Sequence, residues 1–193
     1  NILKENVGAQ DQTIAAYGGF NMINFGGPNL IDVRQLIVEP KKLKKLNESC
    51  LLIFTGFQRT ASNLAKSQIN LIPKKSNELL EMLSLVDEGY KILSNKNKGI
   101  RDFGLLLDEQ WKLKKSMSNK ITNKNIDEIY STAKKNGAIG GKLLGAGGGG
   151  FLLLVVPKIN QPKIIKKLSN YLHVPFQFDF DGSKIIYHNS LGY

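Results

Sequence analysis

Lys142-Leu-Leu-Gly-Ala-Gly-Gly-Gly-Gly-Phe151, followed directly by Leu152-Leu153-Leu154-Val155-Val156, decides how the rest of the chain is read. Five of the first ten residues are glycine. Glycine loses more backbone freedom on folding than any other residue, so such a cluster needs a compensating reason. One reason is a run of positive-φ positions that only glycine adopts without strain. The other is access: without Cβ atoms, a phosphate or a neighbouring loop can approach the main chain and its N–H groups. No G-x-x-x-x-G-K-[ST] is present, which excludes a P-loop. Gly145, Gly147 and Gly150 spell G-x-G-x-x-G, but the dinucleotide fingerprint follows a strand and opens a helix. Here the run leads into an apolar segment that stops at Pro157 and reads as a buried strand.

The stretch resembles the third signature of the GHMP kinases, the superfamily of galactokinase, homoserine kinase, mevalonate kinase and phosphomevalonate kinase. In that family a Lys-x-x-Gly-Ala-Gly-Gly-Gly pattern forms a turn between two strands beside the nucleotide phosphates. The resemblance assigns Lys142, Gly145, Ala146, Gly147, Gly148 and Gly149 to the phosphate side of an ATP site. A plain glycine turn accounts for two or three glycines, not for five with the Lys and Ala in place.

A second stretch, Gly8-Ala9-Gln10-Asp11-Gln12, lies where a loop turns into a short helix that Gly18-Gly19 closes. The helix dipole alone accounts for an acidic residue in a first turn. The same five residues resemble the family's Gly-x-x-Asp-Gln segment, whose carboxylate faces the substrate hydroxyl. On that resemblance Asp11 is the catalytic base, flanked by the substrate-binding Gln10 and Gln12. A third match, Thr55-Gly56-x-x-Arg59, resembles the step after the first strand of the family's C-terminal domain. It is most similar to the branch that acts on heptose phosphates, as are Val174-Pro175-Phe176 and Gly182-Ser183-Lys184. Thr55 and Arg59 are therefore expected at the substrate. Arginine is the preferred bidentate partner of a phosphate, although an exposed helix-start arginine is the other reading of Arg59.

The 193 residues leave room for one large domain or a domain and a half. The chain opens on Asn1-Ile2-Leu3 in a helix-like pattern, and the expectation is a fragment or a processed chain. The net charge is +11, yet of 27 basic residues only Arg34, Arg59 and Arg101 are arginine. Lysine pairs are scattered along the chain without interleaved aromatics, which argues against a nucleic-acid reader and for solvated faces. The single cysteine, Cys50, excludes an intramolecular disulfide and fits a reducing, cytoplasmic setting. No apolar run is long enough to span a bilayer.

Residues 20–38 read as two strands and a turn, Pro40-Lys41-Lys42 as a linker, and Ser49–Phe54 as a buried strand. A helix is expected from Thr55 to about Ile69. Three more follow: one with Leu79, Leu83, Val86, Tyr90 and Leu93 on its inner face, one with Ile100, Phe103, Leu107 and Trp111, and one opened by a capping box at Asn125-x-x-Glu128 and closed at Asn136-Gly137. Met82, Trp111 and Met117 read as core. Asp102, Asp108 and Glu109 read as solvated carboxylates, because no His or Cys stands at a metal-ligand spacing. The spacing predicts a basic amphipathic helix over 159–172. A final hairpin is expected from Phe176 to Tyr187, turning at Asp181-Gly182. His173 and His188 stand alone and read as structural.

The implied fold is α+β. Residues 1–45 form the end of a GHMP-kinase N-terminal domain, and 46–193 form a C-terminal, ferredoxin-like antiparallel sheet covered by helices. The implied reaction transfers the ATP γ-phosphoryl, with Mg²⁺, to a sugar hydroxyl; in the heptose branch this is the anomeric hydroxyl of a heptose 7-phosphate. The Pro-x-x-x-Gly-Leu-Gly-Ser-Ser loop that wraps ATP in the family is absent from these residues, and no metal ligand is expected among them. The expected partners are a small sugar phosphate and the N-terminal half of the kinase. Another GHMP kinase, or a noncatalytic anion-binding module that keeps the glycine turn, are the alternative readings.

Overall fold

A computed structural model of the chain describes residues 8–27, 30–56, 69 and 72–187. It divides into two compact units, Val38–Phe176 and Gly8–Ile37 joined by the segment from Gln177 onward.

The larger unit is built on a four-stranded antiparallel sheet. Its strands are β3 (Cys50–Phe54), β4 (Gly140–Leu143), β5 (Phe151–Val155) and β6 (His173–Val174), in the order β4-β5-β3-β6. Strand alternation sets the two faces. Leu51 opposes Leu154 and Ile53 opposes Leu152, which also opposes Leu143, so one face is a continuous aliphatic layer. That layer is buried with Trp111, Met117, Ile121, Ile126, Ile129 and Ile164. These residues come from α4 (Ile100–Met117), α5 (Lys124–Lys135), α6 (Gln161–Lys167) and the link between α4 and α5. The opposite face carries Leu52, Leu153 and Lys142 in register, with the Phe54 and Phe151 rings 5.3 Å apart.

Two glycines before the quoted run leave room for the neighbours of the edge strand, Gly140 for α4 and Gly141 for β5. A Cβ on Gly140 would lie 1.9 Å from the Gly104 carbonyl oxygen of α4, and one on Gly141 would lie 2.2 Å from Leu153 O. Neither has a positive φ; both are glycine for lack of room.

Residues 40–42 are not a linker. Pro40 is the first residue of α2 (Pro40–Ser49), where its fixed φ and missing N–H cost nothing. Lys42 and Leu46, four apart, are both buried. The Lys42 ammonium donates to Ile92 O and, at 2.9 Å, to Asn95 O, satisfying carbonyls left open at the end of α3 (Ser76–Ser94). Desolvation lowers its pKa, against the pull of Asp102 and Glu39.

The helices α3, α4 and α5 lie where periodicity placed them, with three corrections. On α3 the buried position is Ile92, while Leu83, Val86 and Tyr90 are exposed. The cap of α5 is Asn123, whose side chain accepts from the Ile126 N–H at 3.0 Å, not the box at Asn125. The basic helix is shorter than its pattern, since a 3₁₀ turn over Lys158–Asn160 leaves Ile159 exposed and α6 stops at Lys167. Trp111 and Met117 are core, and Met82 packs against it. The helix expected from Thr55 to Ile69 falls almost wholly outside the described residues. Among the described residues, no helix is long and apolar enough to cross a membrane.

The smaller unit holds α1 (Gln10–Tyr17) and the hairpin β1 (Asn21–Phe25) with β2 (Ile31–Gln35), both as expected. Residues 176–187 form no strand. Instead residues 177–187 pack against the end of α1. Gly19 N–H donates to Asp179 O at 3.1 Å, Ser183 N–H donates to Ala16 O at 3.0 Å, and Phe20 meets the edge of Phe178 at 5.0 Å. A Cβ on Gly18 would lie 2.5 Å from the Asp181 carbonyl carbon, and one on Gly182 would lie 2.0 Å from Ala16 O. The turn signal at Asp181-Gly182 therefore marks a close approach rather than a hairpin.

Candidate functional site

The glycine run is the connection between β4 and β5. Gly145, Gly147, Gly148 and Gly150 take φ of 72°, 117°, 74° and 97°, a region that side chains rarely enter. The turn is tied down from three sides. Gly148 N–H donates to Ile121 O at 2.8 Å, and a Cβ on Gly147 would press on the same carbonyl at 3.0 Å. The Lys114 ammonium donates to Gly145 O. Thr55, fully buried at the end of β3, donates to Gly150 O through both its N–H and its hydroxyl, each at 2.9 Å. Around Gly145 and Gly150 an added Cβ would meet nothing within 4 Å, so the main chain is open to an incoming group there.

The structure thus brings Thr55 and the glycine run together. It also recruits Lys114 from α4 and Ile121 from the following link, which no motif marked, and Asn125, read from the sequence only as a helix cap, whose amide donates to Thr55 O at 3.3 Å. Asn123, which caps α5 and whose amide donates to Gly148 O at 3.5 Å, was missed in favour of Asn125, although a helix-start asparagine was the available signal. Lys142 does not sit in the turn. It lies on β4 opposite Leu153, and burial, reinforced by the Lys114 charge, pushes its pKa down to about 8.

The predicted base lies in the smaller unit. Asp11 is in the first turn of α1, which begins after Ala9 without a side-chain cap, and Thr13 returns its hydroxyl to Ala9 O at 2.7 Å. Gln10, Asp11 and Gln12 are all exposed. Arg59 lies outside the described residues.

Asp108 is not a solvated carboxylate. It is buried on α4, where Lys112 Nζ approaches at 2.8 Å, Lys134 Nζ at 3.3 Å, and the Tyr130 hydroxyl donates to it. Burial alone raises a carboxyl pKa, but the hydrogen bonds from Lys112 and Tyr130 and the Lys134 charge outweigh it and the net shift is downward. Lys134 also donates to Ile139 O at 2.6 Å, so the cluster locks α4 and α5 to the approach to β4. The Lys112 spacing of four residues was the available signal. Asp102 caps α4, accepting from Gly99 N–H at 2.6 Å. Among the described residues, no group of three or more His, Cys, Asp or Glu is placed to hold a metal ion.

An α+β unit with a glycine-built turn between antiparallel strands is the arrangement that the resemblance to the GHMP kinases implies. The GHMP kinases C terminal profile matches residues 92–174, and the chain belongs to the GHMP kinases. Its relatives are sugar kinases. Over 183 residues it is 31% identical to the D-glycero-alpha-D-manno-heptose 7-phosphate kinase of Campylobacter jejuni, covering 92% of this chain and 53% of that one. A solved D-glycero-D-manno-heptose 1-phosphate kinase from Bacteroides thetaiotaomicron is 26% identical, with a TM-score of 0.56 over 94% of this chain and 50% of the other. The L. major mevalonate kinase, at 16% identity, shares the fold with a TM-score of 0.67 over 87% of this chain and 52% of its own. The chain spans about half the length of the heptose kinase it matches.

Proposed function

We propose that this chain is the C-terminal part of an ATP-dependent, Mg²⁺-using cytoplasmic kinase that phosphorylates the anomeric hydroxyl of a heptose 7-phosphate. The observation that carries the reading is the braced glycine turn. Four left-handed glycines lie between antiparallel strands, with open space at Gly145 and Gly150, in a chain 31% identical to a heptose 7-phosphate kinase. ATP supplies the phosphoryl group. Transfer of that group passes through a loose transition state, so the protein's task is to position groups and stabilise charge. The turn supports the phosphate side through exposed main chain, and Lys114 brings a positive charge to its rim. The Asp11 carboxylate, exposed on the first turn of α1, accepts the proton of the sugar hydroxyl, with Gln10 and Gln12 beside it on the substrate. Arg59 takes the phosphate already on the sugar. The metal ligands and the ATP-wrapping loop come from the half of the kinase that this chain does not match.

The test is a kinase assay on this chain joined to that half, comparing heptose 7-phosphate with galactose and mevalonate. Heptose 7-phosphate should be strongly preferred. Arg59→Ala should weaken its use by about tenfold or more, the loss expected for a charge-assisted hydrogen bond. Equal turnover of galactose or mevalonate would move the protein to another branch. Phosphate binding that persists without turnover would point to the noncatalytic module.

A further inference from the structure

A cleft of about 190 Å³ lies between α3, α4 and β4. Met82, Leu85 and Val86 form one wall and Leu106 and Leu107 the other, with Gln110 and Lys142 as its polar groups. The Gln110 Oε1 atom is buried without a hydrogen bond, although a buried carbonyl left unpaired is costly and therefore uncommon. Lys142 is fixed on the strand by its register with Leu153, on the face opposite the aliphatic core. The two groups are complementary in kind, an acceptor and a cationic donor, yet they do not bond each other. They flank a space with apolar walls.

We propose that this cleft binds a small carboxylate that carries an apolar chain and an adjacent O–H or N–H donor. The carboxylate pairs with the Lys142 ammonium, the donor satisfies Gln110 Oε1, and the chain lies between Met82 and Leu107. Each element of the ligand answers one observation: the cation calls for an anion, the orphaned carbonyl for a donor, and the five aliphatic side chains for hydrocarbon. The lowered pKa of Lys142 shows that its charge is poorly solvated, and an anion at the cleft would restore what burial removed. The site is distinct from the open main chain at Gly145 and Gly150, and it does not depend on the kinase reading. Lys142 lies three residues before Gly145, so occupancy would be felt by the strand that carries the turn.

The experiment is a titration of the intact chain, labelled at its Met and Leu methyls, with 2-hydroxyhexanoate, hexanoate and hexylamine. 2-Hydroxyhexanoate should shift the Met82 and Leu107 methyls and bind several-fold more tightly than hexanoate, while hexylamine should not compete. Lys142→Met should weaken binding about tenfold or more, and Gln110→Leu should erase the advantage of the hydroxyl. Equal binding of hexylamine, or silent Met82 and Leu107 methyls, would overturn the proposal. If either variant fails to fold, the three ligands on the unmodified chain still decide between these outcomes.

Discussion

The glycine turn and the Asp11 helix carry two of the motifs of this chain, and they are built in opposite ways. The turn is held by its surroundings: Thr55, Lys114, Ile121 and Asn123 all meet its main chain. Among the described residues Asp11 is held by the helix it stands on, and the end of that helix is seated by a segment some 160 residues further along, through Asp179 and Ser183. A braced turn is what a site needs when its backbone is the functional group. An exposed carboxylate is what a site needs when the side chain must meet a partner from outside the unit. Substitutions in the two places should therefore fail differently: stability and nucleotide affinity together at the turn, chemistry alone at Asp11.

The largest expected effect is at Asp11. In the complete kinase, Asp11→Asn keeps size and hydrogen-bonding shape but cannot take a proton, so kcat should fall by ~10²-fold or more. The melting temperature should barely move. If Asp11 serves only the helix dipole, stability falls by about 0.5–1 kcal/mol and kcat stays nearly intact. Measuring both on one variant separates the readings.

Gly148→Val should show the other pattern. It forces a β-branched residue into φ 74° beside the Ile121 carbonyl, at a cost of up to ~3 kcal/mol. The melting temperature should drop and the KM for ATP should rise together. Unchanged melting and unchanged kinetics would reduce the run to an ordinary tight turn.

How far the two regions were legible in the sequence follows from the same contrast. Local patterns were readable: the positive-φ glycines, the apolar β5, the helices α3 to α5, and Gly137 closing α5 with φ 103°. Features made by distant partners were not. The tail after Phe176 alternates like a strand, but Gly18 and Gly182 allow it to seat directly on α1 instead. Asp108 reads as a surface carboxylate until Tyr130 and Lys134 arrive from α5. The stripe Leu83, Val86 and Tyr90 has helical period, yet it is exposed, because period fixes a face and not what covers it.

Lys142 sharpens the picture of the strand that feeds the turn, through pH. Its pKa is lowered from 10.5 to about 8, so between those values the unfolded chain binds the proton more tightly than the folded one. The penalty on the folded state is complete below about pH 8 and fades as pH rises toward 10.5. Lys142→Met should therefore stabilise the protein at pH 7, by on the order of 2 kcal/mol after allowance for partial exposure. The gain should shrink through the same window. Denaturant unfolding of both proteins at pH 7 and pH 10 gives the difference, and a pH-independent gain would mean that packing, not charge, is responsible.

The smallest effect is expected at Thr55, where the two roles open to the hydroxyl can be told apart. Valine keeps the shape of threonine and its preference for strands, and the Thr55 N–H would still donate to Gly150 O. Only one of the two bonds to that carbonyl is lost, so Thr55→Val should cost ~1 kcal/mol. The informative readout is which Michaelis constant follows. If the hydroxyl serves to hold the turn, the KM for ATP rises modestly and that for the sugar phosphate does not, because Gly150 closes the turn proposed to face the nucleotide. If the hydroxyl instead contacts the sugar, the KM for the sugar phosphate rises while ATP is unaffected and the melting temperature hardly changes. The residue is fully buried and its hydroxyl is committed to Gly150, which favours the first outcome and makes Thr55 a positioning residue. A selective rise in the KM for the sugar would return it to the substrate.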